Sequence, residues 1–226
     1  MIDLYSWAAP NGHKVQILVE ELEIPYRAIP INITSGAQHE AGYRAINPNG
    51  KIPAIVDHDP KGGGGPLTVF ETGAIMSYLA EKERRFLPVD MRQRSEVMQW
   101  LFWQVGGLGP IMGQAQHFFR YASESVPYAT TRYQNETRRL LKVLDDRLEG
   151  REYICDAYSI ADMACFPWIR IHKLTGISLE EFPRVRAWYG LVRSRPAVTR
   201  GLNLLRDQWV DVTTSAEAKR NLFQRQ

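Results

Sequence analysis

The chain has 226 residues, room for one large domain or two small ones at roughly 100–200 residues each. Hydrophobic residues make up 44% and charged residues 23%, which predicts a packed core and excludes wholesale disorder. The two cysteines, Cys155 and Cys165, exclude a disulfide scaffold and a four-cysteine zinc module, and the net charge of +3 argues against a nucleic-acid partner. That charge is split: residues 1–87 hold 8 Lys+Arg against 10 Asp+Glu, and residues 88–226 hold 20 against 15. The densest basic stretch, Arg184, Arg186, Arg193, Arg195 and Arg200, alternates with Val185, Trp188 and Val192 at helical spacing and reads as a solvated helix face. No apolar run reaches the ~18 residues of a membrane span, and Met1–Tyr5 lacks the basic start of a signal peptide. A soluble, cytoplasmic chain with no membrane partner is expected.

The first 87 residues alternate in type. Ile2–Tyr5 reads as a strand, Asn11–Leu22 as a helix with Val15, Leu18, Val19 and Leu22 on one face, and Tyr26–Ile33 as a strand. Gln38–Ile46 predicts a short, imperfect helix. Ile52–Val56 and Leu67–Phe70 predict antiparallel strands around a loop with four consecutive glycines, Gly62 to Gly65. Glu71–Lys82 predicts a closing helix. The order β-α-β-α-β-β-α is that of a thioredoxin-like domain. Residues 88–226 show no strand alternation. Helices are predicted over Met91–Tyr121, Val126–Leu148, Ser159–His172, Phe182–Arg193 and Pro196–Trp209, with Thr213–Gln226 a loose polar tail. The expected organisation is an α/β domain over 1–87, an all-α domain over 88–210 and a tail over 211–226.

Three segments carry chemical signals. In Asn47-Pro48-Asn49-Gly50-Lys51-Ile52-Pro53, a cis Ile52-Pro53 bond would turn the backbone of Ile52 outward to pair with an extended peptide; the alternative is an ordinary turn before an edge strand. In Phe70-Glu71-Thr72-Gly73, a helix N-terminus with a hydroxyl suits a carboxylate, and Glu71 suits an ammonium; the alternative is simple capping by Thr72. Ala9-Pro10-Asn11-Gly12 occupies the position where thioredoxin-like domains do redox chemistry, yet no cysteine precedes Cys155. Any thiol chemistry there must use a thiol brought by a ligand.

Other local patterns point to structure. Ser159 and Asp162 predict a capping box, with Tyr158 and Met163 as its hydrophobic staple. His39-Glu40-Ala41-Gly42-Tyr43 misses the zinc pattern at its last position, so no metal is expected. Gly106, Gly107, Gly109 and Gly113 are costly inside a helix at ~1 kcal/mol each, and point either to close approach of a second subunit or to a kink packed within one.

With Pro10-Asn11-Gly12-His13-Lys14, Asn49-Gly50-Lys51-Ile52-Pro53-Ala54-Ile55, Phe70-Glu71-Thr72-Gly73, Tyr158-Ser159-Ile160-Ala161-Asp162 and the run from Gln99 to Pro110, residues 1–210 resemble the cytosolic glutathione transferases. More narrowly they resemble the nu-class branch, glutathione-dependent disulfide-bond oxidoreductases. The resemblance implies glutathione as a bound cosubstrate, in reduced or disulfide form. It implies that Ile52, ahead of Pro53, pairs with the cysteinyl part, Glu71 and Thr72 hold the γ-glutamyl end, and Gln38 and Lys51 lie near the glycyl end. Asn11 lies next to the sulfur as the catalytic residue, and Arg132 matches a position near the glutathione site. It further implies a homodimer and, as partner, a small-molecule disulfide or electrophile. Ala9 departs from the family pattern, which has Thr or Ser there. The activity implied is reduction of small or mixed disulfides, with conjugation to electrophiles or peroxide reduction as the alternative enzymatic reading and non-catalytic glutathione binding as a third.

Overall fold

In a computed structural model, which describes residues 1–208, 212 and 215–224, the chain packs as two compact units. One comprises Met1–Glu83 with the segment from Ala197 onward; the other is Arg84–Pro196.

The first unit has a four-stranded sheet in the order β2-β1-β3-β4. β1 (Ile2–Ser6) runs parallel to β2 (Tyr26–Pro30) and antiparallel to β3 (Ala54–Asp57), and β3 is antiparallel to β4 (Leu67–Phe70). The parallel pair needs a crossover, supplied by α1 (Pro10–Leu22). α2 (Ala41–Ile46) follows a single 3₁₀ turn at Ala37–His39, so the predicted Gln38–Ile46 helix is two pieces broken at Glu40, whose backbone is extended. α3 (Thr72–Glu83) closes the unit. α1 is buried almost all round, from Gly12 to Val19, because it packs on α3 and also against α9 (Pro196–Asn203).

That last contact changes the expected domain organisation. A Cβ at Gly201 would stand 2.8 Å from the backbone nitrogen of Ile17, so α9 lies directly on the α1 backbone. Arg200 adds an ion pair to Glu20 at 2.5 Å. The helical domain expected to reach residue 210 therefore gives up its last helix to the first unit. The segment expected to be a loose tail contains a short helix, α10 (Ala216–Lys219), and a π turn to Gln224. Ser215 caps α10, Ala218 is buried, and the Asn221 amide donates to the Thr34 carbonyl at 2.8 Å. The predicted Pro196–Trp209 helix stops at Asn203, and Trp209 lies outside the described residues.

Buried charge is paired in this unit. The Asp57 carboxylate accepts from the Tyr78 hydroxyl at 2.6 Å and the Lys82 ammonium at 2.5 Å, tying β3 to α3. Burial raises the Asp57 carboxyl, but these donors outweigh it and hold it below the usual range. Asp3, also buried, accepts from Arg27 at 2.6 Å and meets His58 at 2.9 Å, joining β1 to β2 and to the loop after β3.

The second unit is helical. Helix runs through Met91–Tyr121 as expected, but as α4 (Met91–Trp103), a π turn at Gln104–Leu108, α5 (Gly109–Gln116) and a second π turn at His117–Tyr121. α6 (Pro127–Arg147), α7 (Ile160–Arg170) and α8 (Pro183–Arg193) complete it. A Cβ at Gly113 would stand 3.3 Å from Trp168 Cη2, and one at Gly109 would stand 2.8 Å from Gln104 Nε2 and 3.3 Å from Trp168 Nε1. For these two glycines the packing lies within one chain. Gly106 has open space at its Cα, and Gly107 meets only Leu140 at 3.9 Å.

The predicted capping box is present and carries more than its own helix. Asp162 is fully buried and accepts from four donors: the backbone N–H groups of Ile154 and Ser159, each at 3.0 Å, the Ser159 hydroxyl at 3.3 Å and Trp188 Nε1 at 2.8 Å. Burial pushes its carboxyl up to about 6 against the pull of those donors. One carboxylate thus joins the start of α7, the loop at Ile154 and α8. Asp162→Asn turns an NH₂ group toward donors, and each buried donor left without an acceptor costs about 1–3 kcal/mol. The variant is expected to lose about 2–4 kcal/mol of stability in urea unfolding followed by circular dichroism.

Candidate functional site

The sequence-predicted residues of the first unit gather where two helices begin and one loop turns. α1 starts immediately after β1, with Ala9 as its N-cap residue and Pro10 in its first turn. Ala9 offers no side-chain cap, and its carbonyl accepts from His13 N at 2.9 Å. Helix geometry then leaves the N–H groups of Asn11 and Gly12 without intrahelical acceptors, Pro10 having none to offer. The approach is close: a Cβ on Gly12 would stand 2.1 Å from the Trp7 carbonyl oxygen and 2.8 Å from Ser6 Oγ. Only glycine fits, and this sets where Asn11 emerges. Ser6, the residue one would turn to for a hydroxyl in place of Ala9, is fully buried and accepts from Gln16 Nε2 at 3.1 Å.

The loop before β3 is clamped from α2. The Lys51 carbonyl accepts two short hydrogen bonds, from the Tyr43 hydroxyl and from Asn47 Nδ2, both 2.6 Å. Burial raises the Tyr43 phenol to about 12, so it remains the donor. The turn itself is closed by Gly50 N to Asn47 O at 2.9 Å, and Gly50 has φ 62°, where a side chain would be strained. The Ile52-Pro53 bond is cis, and the β1–β3 register begins only at Ala54, leaving Ile52 outside the ladder. Gln38 joins this loop through Gly50, whose Cβ would stand 3.1 Å from the Gln38 carbonyl. The Gln38 side chain is buried; its Nε2 meets His39 Nε2 at 3.1 Å, and its Oε1 has no hydrogen-bond partner among the described residues. Lys51 extends its side chain into solvent.

At the start of α3, Glu71 takes φ 71° and its carbonyl accepts from Ile75 N at 2.9 Å. Thr72, Gly73 and Ala74 therefore present N–H groups at the positive end of a twelve-residue helix. Glu71 is exposed, and Asn49 Nδ2 reaches its carboxylate at 3.5 Å, joining this helix start to the Asn47–Gly50 turn. Thr72 is buried and accepts from the Lys14 ammonium at 3.3 Å, joining it to α1. Asn11, Gln38, Lys51, Ile52, Pro53, Glu71 and Thr72 are thus carried on neighbouring elements of one unit. Arg132 belongs to the second unit, exposed on α6.

Sequence reasoning missed the supporting residues. Tyr43 and Asn47 sat inside segments read as helix and turn, and only the fold reveals that both reach one carbonyl. Lys14 was visible only as part of a motif; its position one turn after Asn11, ahead of Val15, Leu18, Val19 and Leu22 on one helix face, was the available signal. Cys155 and Cys165 are both buried on the second unit and are not disulfide-bonded. Burial, then the charges of Asp162 and Glu96, push the Cys155 thiol up to about 12, so it is not a nucleophile. Among the described residues no group of three His, Cys, Asp or Glu side chains is placed to hold a metal ion, and no helix is long and apolar enough to cross a membrane.

A thioredoxin-like sheet with a cis-proline loop, followed by a helical unit, is the architecture of the glutathione transferases. The family's N-terminal domain model matches residues 8–82 and its C-terminal domain model residues 117–196. The chain belongs to the glutathione S-transferase family. It is 49% identical over 203 residues to the disulfide-bond oxidoreductase YfcG of Escherichia coli, covering 89% of this chain and 94% of that one. It is 41% identical over 214 residues to the disulfide-bond oxidoreductase YghU of the same organism, covering 88% and 73%. A Pseudomonas putida glutathione transferase, crystallised with one glutathione disulfide per subunit, superposes with a TM-score of 0.85 at 40% identity, covering 90% of this chain and 91% of that one. A Burkholderia graminis glutathione transferase with two glutathione molecules per subunit gives 0.86 at 40% identity, covering 91% and 88%.

Gly12→Ala is expected to cost about 1–3 kcal/mol, the usual price of overpacking, and to shift the amide resonance of Asn11. Urea unfolding and a two-dimensional amide spectrum check this. A variant as stable as the parent, with Asn11 unmoved, would contradict the close approach of α1 to Trp7.

Proposed function

We propose that this chain is a glutathione-dependent disulfide-bond reductase acting on small or mixed disulfides. The observation that carries the reading is a site built to hold a thiol but containing none: two helix N-termini and a cis-proline loop meet in a unit that has no cysteine. Two relatives named as disulfide-bond oxidoreductases and two structural neighbours with bound glutathione or glutathione disulfide support the same reading.

In this reading glutathione lies extended along the loop before β3. Ile52, ahead of Pro53, pairs with its cysteinyl backbone. Thr72 and the open N–H groups of α3 take the γ-glutamyl carboxylate, and Glu71 takes the ammonium. Gln38 and Lys51 serve the glycyl carboxylate. Asn11 and the N–H end of α1 stabilise the thiolate. With Ala9 in place of a hydroxyl residue, one donor is missing; a neutral hydrogen bond is worth about 0.5–1.5 kcal/mol, so activation is weakened and not abolished.

The reaction then runs in two exchanges. The bound thiolate attacks one sulfur of the disulfide, a new S–S bond to glutathione forms, the old one breaks, and the departing thiolate takes up a proton. A second glutathione thiolate attacks the mixed disulfide at the glutathione sulfur, releasing the second thiol and glutathione disulfide. Two glutathiones lose two electrons and the substrate disulfide gains them. The protein's part is orientation and thiolate stabilisation.

The enzyme acts in the cytoplasm as a homodimer in this proposal. Phe102, near the end of α4, and Gly106, within the first π turn, lie four residues apart, both exposed, and offer an apolar surface to a second copy. Light scattering at micromolar concentration is expected to give about twice the 25.9 kDa chain mass; a single-chain mass would overturn the dimer.

The activity is tested with hydroxyethyl disulfide and an aryl halide side by side. Disulfide turnover exceeding conjugation supports the proposal; conjugation alone makes the chain a transferase in the narrow sense, and binding without turnover of either makes it a binding protein. Within the site, Thr72→Ala is expected to weaken glutathione binding about tenfold to a hundredfold, from the loss of a hydrogen bond to a charged group. Asn11→Ala is expected to raise the pH at which bound glutathione ionises, read from thiolate absorbance, and to lower turnover with less effect on affinity. An unchanged ionisation midpoint and rate would remove Asn11 from the catalytic role.

A further inference from the structure

Lys14 is an unusual residue at its position. It lies on α1, one turn after Asn11, between Gly12 and Val15 in a run that is buried throughout, and is itself only 2% exposed. Its ammonium is 3.3 Å from Thr72 Oγ1, and Thr72 is 7% exposed at the first residue of α3. A lysine side chain rarely accepts such burial without a task for its charge.

The chemistry of the contact fixes a direction. An ammonium has three donors and no acceptor, so at this contact the threonine oxygen must accept. A hydroxyl has one proton and two lone pairs. With a lone pair committed to Lys14, the O–H proton is directed to some other acceptor. The open N–H groups of Thr72, Gly73 and Ala74 already make the start of α3 an anion-binding surface. The hydroxyl proton adds a fourth donor of the same sense, with the Lys14 ammonium behind it.

We propose that Lys14 is a positioning and specificity-determining residue: by donating to Thr72 it turns the threonine hydroxyl outward as a donor and tunes the start of α3 to a carboxylate over an uncharged end group. The proposal rests on the glutathione reading of this site, in which that carboxylate belongs to the γ-glutamyl end. Lys14 touches no reacting atom. It acts through Thr72 and through its charge, and leaves the sulfur end to Asn11.

The test compares two ligands by calorimetry: glutathione, and 4-aminobutyryl-cysteinyl-glycine, which lacks only the γ-glutamyl α-carboxylate. The parent is expected to prefer glutathione strongly. Lys14→Met is expected to weaken glutathione about tenfold to a hundredfold while weakening the analogue far less, so that the preference narrows. Lys14→Gln, which keeps an N–H donor near Thr72 without the charge, is expected to narrow it severalfold; it also carries the test if the methionine variant does not fold. In a Thr72→Val background the Lys14→Met change is expected to have a smaller effect, because the hydroxyl it orients is gone. A purely structural lysine would weaken both ligands alike and leave their ratio unchanged. An unchanged ratio in the folded variants, or an equal effect of Lys14→Met in both backgrounds, overturns the proposal. A parent that binds neither ligand overturns the glutathione reading itself, an outcome distinct from either.

Discussion

The site depends on how closely the backbone at the start of α1 lies against the end of β1. A side chain at Gly12 would collide with the Trp7 carbonyl at 2.1 Å, so the chain must leave the strand and enter the helix within a few residues. Pro10 sets the backbone for the first turn, and the register of everything after it follows. Asn11 emerges at the surface and Lys14, one turn later, is carried into the interior beside Thr72. Gly201 repeats the same device on the helix's other side, where α9 lies against Ile17. α1 is held by close backbone contact at both places, which explains why it is buried almost all round.

The remaining site groups are held by polar contacts that run between elements. Two donors from α2 and the loop after it fix one carbonyl, that of Lys51, and so fix the approach to Pro53. Asn49 reaches Glu71, and Lys14 reaches Thr72, each bond spanning two site segments. What these contacts leave unused is informative: open N–H groups at the start of α3, a buried Gln38 oxygen with no partner among the described residues, and exposed side chains of Lys51 and Glu71. Each such group is of a kind that binds or orients a ligand, and none is a nucleophile. The thiol has to arrive with the ligand.

Much of this was legible beforehand. The alternation of strand and helix over residues 1–87 predicted the sheet, because each element there has a clear periodicity and turn residues between. The capping box at Ser159 and Asp162 was readable from local spacing alone. Local spacing did not reveal that Asp162 also accepts from Trp188, 26 residues on. The assignment of α9 to the first unit was not legible either, since Gly201 resembles any helical glycine until Ile17 is seen beneath it. The glycine run of the long helix shows the same limit. Four glycines read as one signal, yet Gly109 and Gly113 accommodate Trp168 within the chain while Gly106 meets nothing there. Lys14 belongs to this class as well: its burial follows from the pitch of α1, and its purpose only from the arrival of α3 beside it.

The central claim is that these converging backbone ends hold glutathione with its γ-glutamyl carboxylate at the start of α3 and its sulfur at Asn11. A crystal structure of the protein with glutathione disulfide measures this directly. The account predicts the carboxylate within hydrogen-bond distance of the N–H groups and hydroxyl at Thr72 and Gly73, backbone pairing at Ile52, and a glutathione sulfur beside the Asn11 amide. Glutathione bound in the opposite direction, or seated away from Ile52 and Thr72, would contradict it.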